Sequence, residues 1–170
     1  KAAEKANWAS DVPHSGHGRG IAFAQYKNQK CYVAVIFDVH VDTTTGQIDL
    51  KRATIAADAG HIVNPDGIIS QLEGGVIQAA SWALKEEVTF DHHAITSRDW
   101  ESYPIITFPE VPEVETTLIN RPGLPSLGCG EATQGPTPAA IANAVFNAIG
   151  IRLRQMPFTP NRVLEAIKTS

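Results

Sequence analysis

Between positions 33 and 41 apolar side chains fall on every second place: Val33, Val35, Phe37, Val39 and Val41. Successive side chains of an extended chain point to opposite faces, so this spacing lays all five on one face of a strand. Ala34 and Ile36 make the opposite face apolar near its middle, which implies cover on both sides there. Asp42-Thr43-Thr44-Thr45-Gly46 then supplies a turn, because Asp and Thr bond the nearby backbone and Gly accepts a positive φ. Residues 48–59 return as the second arm. A hairpin this long commits the chain to a sheet whose apolar face needs helices to cover it.

Those helices can be placed from apolar spacing. Ile68, Leu72, Val76 and Ala79 or Ala80 recur at helical intervals, which predicts a helix over 67–84 after an Asn64-Pro65-Asp66-Gly67 turn. Gly74-Gly75 in its middle costs about 1 kcal/mol per glycine relative to alanine. Such a pair suits either tight packing or a group that must approach the helix backbone. Thr137 as N-cap, Pro138 in the first turn and Gly150 beyond the end delimit a second helix, with Ile141, Val145, Phe146 and Ile149 as its apolar face. Thr159-Pro160 caps a short last helix over 161–168.

The remaining strands are expected at 21–25, 31–41, 85–90 and 113–119, the last entered through Pro109 and Pro112 and so suited to an edge. Residues 91–97 and 120–130 read as loops. Residues 1–20 read as a flexible polar lead-in that ends in Gly16-His17-Gly18-Arg19-Gly20. The expected class is therefore α+β over residues 21–170: a mixed or antiparallel sheet of four to five strands with two to three packed helices.

A chain of 170 residues suits one domain that buries roughly 70% of its unfolded surface. With 14 basic and 18 acidic residues the formal charge is −4, and no run of like charge offers a surface to nucleic acid or an anionic membrane. No apolar stretch approaches the roughly 20 residues of a membrane-spanning helix, and residues 1–10 lack the apolar core of a secretory leader. The sole methionine is Met156 and none stands at the start, so the chain reads as an excised or processed piece, expected to expose apolar surface where partners are missing. Cys31 and Cys129 are too few and too far apart for an iron–sulfur or structural zinc site, and each is expected as a buried free thiol.

Phosphate-loop and nucleophile-elbow patterns are absent. The glycines at 16, 18 and 20 look superficially like a dinucleotide loop but follow no expected strand and open no helix. His14 and His17 stand three apart without a third ligand nearby. His92-His93 belongs to a polar loop, and His61 to the turn after Gly60. Two stretches differ. In Gly128-Cys129-Gly130-Glu131, an acid on a glycine loop near a helix start suits a base, or equally a charge that stabilises the helix. In Gln71-Leu72-Glu73-Gly74-Gly75, Gln71 offers a donor and an acceptor for a polar heterocycle or phosphate, or is an ordinary surface glutamine.

In this order these stretches resemble the molybdopterin-binding large subunit of the xanthine dehydrogenase and aldehyde oxidase family, in its C-terminal part. The isoquinoline 1-oxidoreductase and membrane-bound aldehyde dehydrogenase type is the most similar. The matching text includes Gly18-Arg19-Gly20-Ile21-Ala22, Tyr32-Val33-Ala34-Val35, Val41-Asp42 with Gly46-Gln47-Ile48, and the run Ala57 to Pro65. It continues with Gln71 to Gly75 and Gly128 to Glu131, and closes with Pro138-Ala139-Ala140-Ile141-Ala142-Asn143-Ala144.

The resemblance implies a molybdenum–molybdopterin cofactor in the complete protein and a hydroxylase that oxidises an aldehyde or an N-heterocycle with oxygen from water. It implies that Glu131 is the general base, that Gln71 hydrogen-bonds the pterin, and that Gly128, Cys129 and Gly130 line the same site. No metal ligand is expected among these residues. The remainder of the large subunit, an iron–sulfur subunit and a cytochrome c or flavin carrier are the implied partners, in the cytoplasm or at the periplasmic face. The piece alone is expected to be inactive. Where many relatives follow the glutamate with a proline-containing stretch, this chain has Ala132-Thr133-Gln134-Gly135-Pro136, which reshapes the pocket rim. The competing expectation is a non-catalytic α+β interaction module in which the loop and Glu131 are structural.

Overall fold

The structure is a computed structural model and describes residues 1–10 and 15–170. Its elements run α1 (Ala2–Lys5), β1 (His17–Gln25), β2 (Tyr32–Val41), β3 (Ile48–Asp58), α2 (Pro65–Leu84), β4 (Glu113–Leu118), α3 (Pro136–Ile149) and α4 (Pro160–Thr169). The four strands form one mixed sheet in the order β1-β2-β3-β4. The first three pair antiparallel, as short connections require, while β4 lies parallel to β3 after the crossover through α2. This is the expected α+β class.

The alternation at 33–41 does what its spacing demands. Val33, Val35, Phe37, Val39 and Val41 are all buried, and with Ala53, Ile55 and Ala57 of β3 they form the floor of the core. Leu72, Val76, Ala80 and Ala83 of α2 and Ala140, Ile141, Ala144 and Val145 of α3 cover that floor. On the opposite face, Ile36 and Ala56 pack under Ala2 and Ala6 of the N-terminal turn. Arg19 and Arg52 hold that turn by donating to the carbonyls of Asn7 and Ala6. Asp38 stands between both arginines, with Arg19 Nε at 2.5 Å and Arg52 Nε at 3.4 Å.

The structure corrects four expectations. In place of a flexible lead-in, of which residues 11–14 lie outside the described residues, Ala2–Lys5 is helical and β1 starts at His17. Gly18 and Gly20 are strand residues on the face that meets α3. A Cβ on Gly20 would stand 2.1 Å from Ala144 N, so these glycines admit a helix backbone and do not confer mobility. Second, residues 85–90 form no strand. Their polar groups close a local loop instead: Thr89 N–H donates to Ser97 Oγ, and only an isolated bridge joins Phe90 to Ile95. Third, Asn64-Pro65 is a helix start. Asn64 Oδ1 accepts from Gly67 N at 3.0 Å, with Pro65 in the first turn. Fourth, Thr137 is not an N-cap. The helix already begins at Pro136, and the buried Thr137 hydroxyl donates to Thr133 O at 2.7 Å.

As expected, apolar side chains stand uncovered on the loop between α2 and β4: Phe90 is 78% exposed, Trp100 76% and Phe108 93%. No helix among the described residues is long and apolar enough to cross a membrane.

Candidate functional site

The loop that carries Glu131 is fastened to α2 at several points. Gln71 Nε2 donates to Gly130 O at 2.6 Å, and Thr133 Oγ1 donates to Leu72 O at 3.0 Å. Gln134 Nε2 reaches Gln78 Oε1 at 2.7 Å. Gly75 is what allows this junction: a Cβ there would lie 2.5 Å from Thr133 Oγ1, whereas one on Gly74 would meet nothing within 4 Å. Of the two glycines, Gly75 therefore has a packing role and Gly74 does not. On the other side, Cys31 N donates to Gly128 O at 3.4 Å, tying the loop to the start of β2.

Between the first turns of α2 and this loop lies an open depression of about 380 Å³, lined by Val63, Asn64, Gln71, Gly128, Cys129 and Gly130 among others. Four of the five site residues expected from sequence thus share one concavity. Glu131 is the next residue along the loop and stands exposed at its rim. Its Oε2 accepts a hydrogen bond from Tyr26 Oη at 3.2 Å. Glu131 lies outside the first turn of α3, which holds no acidic residue, so the helix-stabilising role considered for it is not realised.

Among the described residues, the amide N–H groups of Gly128, Gly130 and Glu131 and the Oε1 of Gln71 have no hydrogen-bond partner. A Cβ on Gly128 would meet nothing within 4 Å, so a planar ligand could reach the peptide there. The depression thus offers exposed donors, one free acceptor and little side-chain bulk, which fits a polar, flat cofactor edge.

Both cysteines are free thiols, Cys31 buried and Cys129 half-buried. Burial, with Cys129 and Asp58 close by, pushes the Cys31 thiol up to about 12, and burial raises Cys129 as well. Both stay protonated and neutral near pH 7, so Cys129 gives the depression a neutral wall.

Among the described residues, no histidine lines this depression. His17 packs its ring on His40 at 4.7 Å, His61, His92 and His93 are exposed, and His14 lies outside the described residues. No group of three metal-ligating side chains occurs among the described residues. A larger cavity of about 430 Å³ sits at the opposite end of α2, by Leu84 and Lys85, and contains none of the expected site residues.

Sequence reasoning missed Tyr26 and Thr133. Tyr26 stands 105 residues before Glu131, and no local pattern connects them. Thr133 had one available signal, since a glycine in mid-helix calls for a partner that comes close.

A family model described as a molybdopterin cofactor-binding domain matches residues 2–112. A nicotinate dehydrogenase subunit from Pseudomonas putida is 40% identical over 182 residues, covering 97% of this chain and 15% of that protein. The beta chain of isoquinoline 1-oxidoreductase from Brevundimonas diminuta is 30% identical, covering 93% of this chain and 20% of its own length. The crystal structure of quinoline 2-oxidoreductase from Pseudomonas putida 86 superposes with a TM-score of 0.75 at 26% identity, over 81% of this chain and 19% of that one. The chain therefore spans a fifth or less of each of these proteins. Gly128 to Glu131 lie beyond the family match but within the reach of a pairwise match that covers 97% of the chain.

Proposed function

The chain belongs to the molybdopterin cofactor-binding domain family, in the xanthine dehydrogenase and aldehyde oxidase class, and we propose that it carries the catalytic base and part of the cofactor cradle of a molybdenum hydroxylase. The observation that carries this reading is the meeting of Gln71 and the 128–130 backbone in one depression with Glu131 at its rim. The two stretches come from distant parts of the chain, and no local preference of either one brings them together.

Molybdenum–molybdopterin, when bound, supplies the two-electron oxidation and an activated oxygen derived from water. The chain's own residues do the rest. The free Oε1 of Gln71 and the free amides of Gly128 and Gly130 hold polar edges of the cofactor. Cys129, a half-buried thiol, closes one wall. Glu131 accepts the proton of the oxygen nucleophile as that oxygen attacks the electrophilic carbon of the substrate. A carboxylate that keeps one hydrogen bond and an exposed second oxygen is equipped for that transfer.

The substrate class is an N-heterocycle attacked at an electron-poor ring carbon, with an aldehyde as the second choice. The similar proteins described above are named for nicotinate, isoquinoline and quinoline. The rest of the cradle and the substrate funnel lie in the remainder of the large subunit, so residues 21–170 turn nothing over alone. Electrons leave through an iron–sulfur subunit to a cytochrome c or flavin carrier.

Metal and pterin analysis of the full-length protein, followed by a screen of N-heterocycles and aldehydes, tests the proposal. Molybdenum and pterin in equal amounts, with oxidation of an N-heterocycle, is the expected outcome. Turnover by a preparation free of molybdenum would overturn it.

A further inference from the structure

We infer that Tyr26 is a positioning residue for Glu131: its hydroxyl fixes the orientation of the carboxylate that serves as base. This rests on the reading of Glu131 given above and adds to it a residue from a distant part of the chain.

Three separate features aim Tyr26. The first is its backbone. Tyr26 opens the tight 3-10 turn Tyr26–Asn28 between β1 and β2, in which Lys27 and Asn28 take positive φ of 47° and 57°. Tyr26 N donates to Cys31 O at 2.8 Å and Lys30 N returns to Tyr26 O at 2.8 Å, so the residue cannot swing with a loose loop. The second is its ring, which packs partly buried against the core cluster. Ring and backbone together set the hydroxyl beside the loop, where it donates to Glu131 Oε2 at 3.2 Å.

The third feature is Gly130. A Cβ at that position would come within 3.3 Å of Tyr26 Oη, so the hydroxyl lies close against the loop backbone there. The same turn grips the loop through Cys31 N and Gly128 O at 3.4 Å. The β1–β2 turn and the 128–131 loop are thus joined through Cys31 N to Gly128 O and through Tyr26 Oη to Glu131 Oε2. A carboxylate at an exposed rim samples several rotamers when unrestrained. One hydrogen bond to Oε2 selects among them and leaves Oε1 to take the proton.

The experiment uses the complete, cofactor-loaded enzyme with Tyr26→Phe, which keeps the ring packing and removes only the hydroxyl, beside Glu131→Gln. In Tyr26→Phe, kcat is expected to fall about tenfold or more while KM and molybdenum content stay near normal, the pattern of a lost orienting contact. A crystal structure of the same variant is expected to show the Glu131 carboxylate displaced or spread over several conformers. An unchanged kcat with the carboxylate in place, while Glu131→Gln is inactive, would overturn the role of Tyr26 and leave Glu131 as base. A fall in activity matched by an equal fall in molybdenum content would make Tyr26 a folding residue and overturn the inference too. Full activity in Glu131→Gln would remove the base itself, and with it any purpose for the contact.

Discussion

The side-chain amide of Gln71 donates to the carbonyl oxygen of Gly130 across 2.6 Å, joining the second turn of α2 to the loop that carries Glu131. A glutamine expected to face the cofactor therefore spends its donor on the protein and keeps its acceptor for a ligand. The loop's position depends on this bond and on Thr133 Oγ1, which reaches Leu72 O. Replacing Gln71 with Ala is expected to lower the stability of the domain by about 1 kcal/mol, the usual worth of one such bond. Molybdenum content of the purified full-length protein should fall with it, read by metal analysis against the parent. Normal content would mean that Gln71 is dispensable to the cradle.

Gly20 and Gly74 should respond to alanine in opposite ways. A Cβ on Gly20 would meet Ala144 N at 2.1 Å and Ala140 O at 2.3 Å, both backbone atoms of α3 that cannot step aside. Gly20→Ala is expected to cost about 3 kcal/mol or more. Gly74 has open space where its Cβ would stand, so Gly74→Ala should gain up to about 1 kcal/mol from helix propensity. Urea unfolding of the two variants side by side checks both signs.

Asp42 ties the acid stability of the chain to its hairpin turn. The Thr44 hydroxyl, with the N–H groups of Thr44 and Thr45, holds the Asp42 carboxyl at about 2, below its ordinary 3.8. A depressed folded-state value favours the folded form wherever the carboxyl is ionised in both states. That contribution is complete above the ordinary value and is lost as pH falls through the folded one. The difference in melting temperature between the parent and Asp42→Ala should thus be constant above about pH 4 and shrink between about pH 4 and 2. A difference that persists unchanged at about pH 2 would assign it to something other than this carboxyl.

The parts of the fold carried by period and by the hairpin turn were legible in the sequence. The alternation of 33–41, the turn at 42–46 and the helical spacing from Ile68 to Ala80 each state one local preference that nothing overrides. What stayed hidden depends on contacts between distant segments. Gly18 and Gly20 read as flexible because nothing local says that the backbone of α3, far along the chain, lies against them. Residues 85–90 read as a strand, yet the sheet has no place for them, and Val88 and Phe90 remain exposed. At the site, the glycine loop and Gln71 drew notice from their types and order. Tyr26 could not, since its place is set by a turn in β1–β2 and its meaning by a residue at 131.

Glu131 is the residue on which the proposed chemistry depends. The decisive measurement is the turnover number per molybdenum of the full-length Glu131→Gln protein, with metal and pterin content determined on the same sample. Gln keeps the shape and can still meet Tyr26, but it cannot accept a proton. A loss of at least about a hundredfold in kcat, at near-normal cofactor content, is the predicted result. Turnover within a few fold of the parent at the same cofactor content would contradict it.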